Sequence, residues 1–207
     1  SAAAELDTHG VQDVRIRLFS QDENLSIRPR LYETPTSDML VPLKPLLSEI
    51  GVGFEKTKVT SIGNGAMETD NGQSAYDRLV LATGSALRQV DGLSSAQGIY
   101  SVDTFEEAER LNSHLQSLEE GATLVVVGAS FSGIELATEL RTRAGDDKRI
   151  VLLERADVAG GELGGSLADV LQEAFTEANI EVLTGNSIRE FRNGSVVLAD
   201  GQAIASS

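Results

Sequence analysis

The chain has 207 residues, a formal net charge of −15 and no cysteine. So acidic a composition argues against a nucleic-acid or anionic-membrane partner, because either would require a basic face. Without cysteine, disulfide bonds, thiolate metal sites and thiol redox catalysis are excluded for these residues. No apolar run approaches the about 18 residues that a membrane-spanning helix requires. The two histidines lie far apart in the sequence, so no metal site is predicted.

The pattern of apolar residues, glycines and prolines predicts an alternation of helices and strands. In the first half we predict a helix at residues 1–9, a strand at 14–19, an extended loop at 27–33, a helix at 41–49, a strand pair or one bent strand at 52–62, hairpin turns at 63–65 and 70–72, and a strand at 76–82. In the second half we predict helices at 104–118, 134–143 and 166–178, strands at 124–127, 149–154 and 180–183, and a hairpin at 187–205.

The most informative stretch is the glycine turn between the predicted strand at 124–127 and the helix that follows. Gly128 permits a tight turn, and Gly133 allows the helix to pack close to the strand. Free N–H groups at the start of the helix favour a pyrophosphate. Ser130 replaces the middle glycine of the dinucleotide-binding fingerprint, and its small hydroxyl is expected to bond a phosphate oxygen. An ordinary βαβ crossover is the alternative interpretation.

A carboxylate at the end of the next strand supports the dinucleotide interpretation. Glu154 ends that strand at the distance along the chain at which such units place a ribose-binding acid. A 2′-phosphate would meet like charge there, so NAD is favoured over NADP. Arg155 is adjacent and is the residue that weakens this preference.

The sequence also contains an internal repeat. Aligning Glu154 with Ser20 places Asp147 on Asp13, and the glycine turn at Gly194 corresponds to that at Gly65. Each copy reads as a nucleotide-binding half with a hairpin insert. Two halves of this kind predict an α/β fold with two Rossmann-like, three-layer dinucleotide-binding domains. The first is expected to be incomplete at its N-terminus and the second to lack its last strand, so we expect an internal segment of a longer protein.

Four stretches, read together, resemble a known family. They are Ile27-Arg-Pro-Arg-Leu-Tyr-Glu33, Tyr76-Asp-Arg-Leu-Val-Leu-Ala-Thr-Gly-Ser85, Gly128-Ala-Ser-Phe-Ser-Gly-Ile-Glu135 and Ile150-Val-Leu-Leu-Glu154. Their order and spacing resemble the FAD/NAD(P)-binding pyridine nucleotide-disulfide oxidoreductases, which have two dinucleotide domains. Within that superfamily the chain is most similar to the type II NADH dehydrogenase (NADH:quinone oxidoreductase-like) branch.

The resemblance implies FAD in a partial domain at residues 1–102 and NAD(H) in a domain at residues 103–207. The residues that would face FAD are Arg28 and Pro29 beside the flavin, Val59 at the adenine, and Ala82, Thr83 and Gly84 near the pyrophosphate. The residues that would wrap the NADH phosphates are Gly128, Ser130, Phe131, Ser132 and Gly133. Glu135 would reach the contact between nicotinamide and flavin and is the candidate catalytic residue, although a carboxylate near a helix start also stabilises the helix dipole.

The implied reaction is hydride transfer from NADH to FAD and then to a quinone or another acceptor. Two alternatives stay open. The flavin site is expected to be truncated, so the chain is alternatively a non-catalytic dinucleotide-binding module. Ser20 stands where the family usually carries its FAD-ribose acid. Ser20 and Ser130 together also suit a degenerate regulatory or structural relative. The acidic run at 103–109 is interpreted as a solvated helix face.

The expected partners are NADH and an electron acceptor, with a quinone favoured and a homodimer left open. No nucleic acid and no transmembrane segment are expected in this chain. The expected location is cytoplasmic, with a peripheral position at the inner membrane as the alternative for a full-length parent protein.

Overall fold

The computed structural model describes residues 14–87, 98–161 and 167–207. Contacts divide the chain into two compact units. The first unit includes residues 14–27 and 37–85, and the second includes residues 28–36 together with the described residues from 86 to 207. Residues 28–36 therefore pack with the second unit, although residues of the first flank them in the sequence. The helix predicted at residues 1–9 lies outside the described ranges.

The strands are β1 (Arg17–Ser20), β2 (Asn24–Ser26), β3 (Leu40–Pro42), β4 (Gly53–Lys56), β5 (Val59–Ile62), β6 (Ala66–Thr69), β7 (Gly72–Ala75), β8 (Thr123–Val127), β9 (Arg149–Leu153), β10 (Ile180–Leu183), β11 (Ile188–Arg192), β12 (Ser195–Leu198) and β13 (Ala203–Ala205). The helices are α1 (Leu43–Ser48), α2 (Phe105–Leu115), α3 (Phe131–Ala144) and α4 (Ala168–Glu177), with short 3-10 helices at Arg28–Arg30 and Thr36–Met39.

The second unit is built on a parallel sheet. Its strand order is β10–β9–β8, and α3 and α4 connect successive strands, as the βαβ prediction requires. Thr104 caps α2 by accepting a hydrogen bond from the Glu107 N–H at 3.3 Å. The predicted α/β class is confirmed.

The central strand β9 is buried on both faces. Ile150 and Leu152 pack in a core with side chains of α3 and α4, and Val151 and Leu153 pack in a second core with side chains of β12 and β13. These four apolar side chains of β9 are at most 1% exposed. A run of branched apolar residues is what a strand between two layers requires. The unit therefore has three layers, with helices on one side of the parallel sheet and the β11–β12–β13 sheet on the other.

The first unit repeats the strand pattern of the second. A parallel pair, β1 and β4, precedes the antiparallel sheet β5–β6–β7, just as β9 and β10 precede β11–β12–β13. The register of each antiparallel sheet shifts near the start, after Val59 in one and after Ile188 in the other. The glycine turns correspond too, with φ of 78° at Gly65 and 69° at Gly194. The internal repeat seen in the sequence is thus also present in the structure.

The strand predicted at residues 76–82 is wrong. The structure ends β7 at Ala75 and leaves residues 79–87 without regular structure. Val80 and Leu81 are 86% and 66% exposed. An apolar stretch forms a strand only where a neighbouring strand offers backbone partners. The Tyr76 N–H at its start donates to the Gly65 carbonyl oxygen at 2.9 Å, but no strand among the described residues of the first unit pairs with the stretch.

A buried arginine joins the ends of three elements in the second unit. Arg141, near the end of α3, is only 8% exposed. Its guanidinium donates to the carbonyl oxygens of Gly145 at 2.7 Å, Lys148 at 3.0 Å and Asn179 at 2.7 Å. These carbonyls follow α3, precede β9 and follow α4. The half-buried guanidinium bonds therefore hold together three backbone carbonyls at the edge of the sheet opposite the glycine turn.

Replacing Arg141 with lysine is expected to lower the free energy of unfolding by about 1–2 kcal/mol. A lysine cannot reach three carbonyls with the planar fork that the guanidinium provides. Urea denaturation followed by circular dichroism measures the change. The matched control is Arg149→Lys, at an arginine that is 49% exposed in its ion pair with Glu181, where we expect less than about 0.5 kcal/mol. Equal effects of the two substitutions would contradict this role of Arg141.

Candidate functional site

The candidate site begins where β8 ends and the chain turns at Gly128. This glycine has a φ of 98°, a conformation that favours glycine over other residues. Its N–H donates to the carbonyl oxygen of Leu153, the last residue of β9, at 2.8 Å. The turn therefore lies at the carboxyl ends of two parallel strands, the edge at which open α/β sheets bind ligands.

Gly133 lies in the first turn of α3 and packs directly against the Gly128 turn. A Cβ atom at position 133 would lie 1.9 Å from the Gly128 carbonyl oxygen and 3.0 Å from its carbonyl carbon. Both contacts are with backbone, so no side-chain movement relieves them. Only glycine fits here, and the sequence prediction that Gly133 permits close packing of the helix is confirmed.

The N-terminal end of α3 offers unpaired backbone donors to an anion. Ser130 is the N-cap with extended backbone, and its hydroxyl accepts no capping hydrogen bond. The Ile134 N–H donates to the Ser130 carbonyl oxygen at 3.0 Å, so the N–H groups of Phe131, Ser132 and Gly133 precede the first helical bond and lack an intrahelical partner. This helix has no acidic residue in its first turn. No acidic side chain in its first turn therefore offsets the positive potential at the N-terminal end of α3.

Glu154, directly after β9, braces the glycine turn. Its Oε2 accepts the Ala129 N–H at 2.6 Å, and its Oε1 accepts the Ala156 N–H at 2.8 Å. Burial tends to raise the pKa of this carboxyl, but hydrogen bonds from the N–H groups of Ala156, Ala129 and Arg155 outweigh burial, and the pKa lies below its usual value. The ionised group keeps further lone pairs. It is therefore able to accept hydroxyl donors of a ligand beside the turn.

The depressed pKa of Glu154 predicts a pH-dependent contribution to stability. The folded pKa lies below the unfolded one, so the contribution is present above about pH 4.3, the usual glutamate value, and is lost as the pH falls through the folded pKa. We expect the difference in urea midpoint between the wild type and Glu154→Gln to shrink over that range. The comparison cancels other carboxyl groups, which both proteins share. A constant difference from neutral to acid pH would contradict the prediction.

The other predicted residues of this site are open to solvent. Phe131 is 59% exposed, and Ser132 and Arg155 are exposed as well. The Gly160 N–H donates to the Ala129 carbonyl oxygen at 3.0 Å, so the chain after Glu154 folds back on the glycine turn. The structure thus brings all the predicted NADH-phosphate residues to one edge of the second unit.

Glu135 lies in α3 beyond the free donors and is half-buried. Burial, and after it the negative charge of Glu135, raise the pKa of the Tyr32 hydroxyl. Nothing in the sequence pattern linked these two residues, because they are distant along the chain and Tyr32 belongs to an irregular segment.

The predicted flavin-side residues Arg28 and Pro29 lie in the second unit. The Arg28 guanidinium forms an ion pair with the Asp103 carboxylate, and its Nε donates to the Asp103 carbonyl oxygen at 3.2 Å. The prediction that residues 103–109 form only a solvated face is therefore wrong at Asp103, which is half-buried by this pairing. Pro29 is exposed.

The remaining flavin-side residues belong to the first unit. Val59 begins β5 and is half-buried, whereas Ala82, Thr83 and Gly84 are exposed in the stretch that forms no strand. Gly84 has a φ of 68°, and open space surrounds its Cα where a Cβ would stand. The role of these residues toward FAD stays a prediction.

Among the residues that the structure describes, no helix has the length and apolar character needed to cross a bilayer. Within the same ranges, no group of three His, Asp or Glu side chains is arranged to hold a metal ion.

A parallel β10–β9–β8 sheet, a glycine turn into α3 and an acid after β9 together define a Rossmann-type dinucleotide-binding protein. The particular family follows from comparison. The chain belongs to the pyridine nucleotide-disulphide oxidoreductase family, whose model matches residues 5–207.

Individual relatives agree with this assignment. An NADH dehydrogenase-like protein of Mycobacterium tuberculosis is 34% identical over 99% of this chain and 56% of its own length. Demethylphylloquinone reductase of Synechocystis is 33% identical over 73% of this chain and 41% of its own length. The chain thus spans about half the length of the curated relatives it matches.

Solved structures confirm the fold. The ferredoxin reductase for the CYP199A2 system of Rhodopseudomonas palustris has a TM-score of 0.83 at 20% identity, covering 98% of this chain and 53% of the other. The water-forming NADH oxidase of Lactobacillus brevis, bound to NADH, has a TM-score of 0.77 at 13% identity, covering 98% and 48%.

Proposed function

We propose that this chain is the dinucleotide-binding part of a flavin-dependent NADH oxidoreductase, which passes hydride from NADH to FAD and then to a quinone or another acceptor. The observation that carries the proposal is the arrangement at the glycine turn. Free N–H groups of α3 and the Glu154 carboxylate both adjoin Gly128. That pairing suits a ligand with a pyrophosphate and a ribose bearing free hydroxyls.

The residues at this turn fit NADH on structural grounds. Gly128 has open space where a Cβ would stand, so a phosphate is able to approach the backbone. The N–H groups of Phe131, Ser132 and Gly133 would bind the pyrophosphate, with the Ser130 hydroxyl as a further donor. Glu154 would accept the ribose hydroxyls, and its negative charge would disfavour a 2′-phosphate. NADH is therefore the proposed dinucleotide rather than NADPH.

The proposed FAD contacts are Arg28, Pro29, Val59, Ala82, Thr83 and Gly84. The open space at Gly84 fits the close approach of a ligand to its backbone. When bound, FAD would supply the redox chemistry, because it accepts hydride from NADH and passes electrons to the acceptor. The contribution of this chain is to bind and orient, and Glu135 is the proposed residue at the contact between nicotinamide and flavin.

The acceptor is proposed from the relatives. The Synechocystis relative is named a demethylphylloquinone reductase, which supports a quinone. A more distant relative from Pseudomonas, 28% identical over 67% of this chain, is named terpredoxin reductase, which supports a small redox protein as the alternative acceptor.

The test is titration of the purified 207-residue chain with NADH, followed by fluorescence, and then NADH oxidation in the presence of FAD and a quinone. Saturable binding with quinone-dependent oxidation supports the proposal. Binding without oxidation favours the second candidate, a dinucleotide-binding module without turnover. No binding of NADH contradicts both. An absorption spectrum before and after addition of FAD and desalting shows whether the chain retains the flavin.

A further inference from the structure

Residues 28–36 are held on the second unit by contacts with both ends of α2. Arg28 forms an ion pair with Asp103, two residues before the helix begins, and its Nε donates to the Asp103 carbonyl oxygen at 3.2 Å. Near the other end of α2 the Asn112 side-chain amide donates to the Thr36 hydroxyl at 2.6 Å. Thr36 is only 2% exposed, so solvent does not readily replace this partner. The segment is therefore fixed at its first and last residues.

Asn112 is the point at which the segment, α2 and α3 are joined. Its side-chain oxygen accepts a hydrogen bond from the Arg143 guanidinium of α3 at 2.5 Å, and the same guanidinium donates to the Tyr32 carbonyl oxygen at 3.3 Å. Besides Thr36, its amide nitrogen donates to the Glu109 carboxylate at 3.2 Å. A side-chain amide combines an acceptor with two N–H donors, and this one uses both functions.

The segment itself is short and irregular. The Leu31 N–H donates to the Arg28 carbonyl oxygen at 3.2 Å, and the Glu33 N–H donates to that of Arg30 at 3.0 Å. Leu31 is 1% exposed and provides an apolar anchor. Two isolated turns of this kind have little stability of their own, so their hydrogen bonds report whether the segment is held in place.

This attachment bears on the proposed reaction because of what the segment carries. Arg28 and Pro29 are the proposed flavin-side residues, whereas the proposed NADH-phosphate donors lie at the start of α3. Arg143 comes twelve residues after Phe131, the first residue of α3, which corresponds to about 18 Å along a helix axis. Loss of the Asn112 contacts is therefore expected to release the flavin-side residues and to leave the glycine turn intact.

We propose that Asn112 is a positioning residue that fixes Arg28 and Pro29 on the second unit, because it joins residues 28–36 to α2 and, through Arg143, to α3. The link to flavin rests on the proposed function. The attachment of the segment is testable without any ligand.

The first experiment measures backbone amide exchange by mass spectrometry in the 207-residue chain. Asn112→Leu removes the polar atoms at nearly the same side-chain shape, and Thr36→Val does the same for the hydroxyl. We expect the peptide that spans residues 28–36 to exchange about tenfold faster in Asn112→Leu, and less than that in the milder Thr36→Val. Adding Thr36→Val to Asn112→Leu is expected to have little further effect, since one hydrogen bond joins the two side chains.

Ser113→Ala is the matched control. Ser113 is the next residue of α2, and its hydroxyl donates to the Glu109 carbonyl oxygen of the same helix at 2.9 Å. We expect wild-type exchange of residues 28–36 in this variant. Unchanged exchange in both Asn112→Leu and Thr36→Val, or an equal increase in Ser113→Ala, would overturn the attachment through Asn112.

The second experiment compares the affinities of the same variants for FAD and for NADH, by flavin absorbance and by NADH fluorescence. We expect Asn112→Leu to raise the Kd for FAD about tenfold and to change the Kd for NADH less than about twofold. A general loss of stability would weaken both, so the difference between the two cofactors distinguishes positioning from a merely structural role.

Equal weakening of FAD and NADH binding would overturn the positioning role, as would an unchanged Kd for FAD in a variant whose segment exchanges faster. If the wild-type chain binds NADH but no FAD, the flavin part of the proposed function fails for this chain, and the role of Asn112 toward flavin fails with it. Amide exchange still decides whether Asn112 holds the segment.

Discussion

Replacing Gly133 with alanine is expected to weaken NADH binding at least about 100-fold and to lower the free energy of unfolding by about 3 kcal/mol. The new Cβ would lie 1.9 Å from the Gly128 carbonyl oxygen. Either α3 moves away from the turn or the turn itself distorts, and in both cases the N–H groups leave the position that a pyrophosphate requires. Alanine's better helix propensity, worth about 1 kcal/mol, is too small to offset this.

Gly161→Ala is the matched control for this substitution. It lies in the chain that follows Glu154, and no heavy atom lies within 4 Å of the position a Cβ would take. We expect unchanged NADH affinity and a stability change within about 0.5 kcal/mol. Titration with NADH and urea denaturation measure both quantities. Wild-type affinity in Gly133→Ala would show that the close approach of helix and turn is not needed for binding.

Glu154→Gln is expected to weaken NADH binding about 30-fold, which corresponds to about 2 kcal/mol. The carboxylate accepts one N–H on each oxygen, from Ala129 and from Ala156. An amide has one accepting oxygen, so its NH₂ group would face one of those donors and leave it unpaired. The substitution would therefore weaken both the hydrogen bonding that fixes the glycine turn and the binding of the ribose hydroxyls.

The same substitution is expected to reduce the preference for NADH over NADPH about tenfold, since it removes the negative charge that opposes a 2′-phosphate. Kd values for both nucleotides measure this ratio. Glu181→Gln is the control. Glu181 lies on β10, where it is exposed and pairs with Arg149, so its substitution removes one negative charge at a position away from the turn. An unchanged ratio in Glu154→Gln would mean that this carboxylate does not contact the ribose.

The second unit was the part most accessible to prediction. Branched apolar runs, glycines and capping residues specify local structure, and the strands at residues 124–127 and 180–183 follow from short-range pattern alone. Gly133 was identified for the same reason, because the need for a small residue between a strand and the following helix has a fixed spacing. The strand predicted at residues 76–82 was wrong, because strand formation requires a pairing strand, and the presence of that strand cannot be deduced from the residues of the stretch itself.

Contacts between residues far apart in the sequence could not be predicted from such local patterns. Arg28 and Asp103 are separated by 75 positions, and Arg141 reads as an ordinary polar residue of an amphipathic helix. An ion pair or a buried guanidinium depends on which backbone carbonyls and carboxylates converge in space. No periodicity encodes that convergence, so neither residue could be assigned its partner in advance.

The sequence by itself predicted the family, from the order and spacing of four stretches along the chain. It also predicted the parallel βαβ unit and the glycine turn with its following acid, since these depend on residues close together in the sequence. The tertiary structure alone decided that residues 28–36 belong to the second unit and that Glu154 holds the turn through the Ala129 N–H. These depend on three-dimensional packing, in which a half-buried carboxylate must find donors wherever the fold presents them.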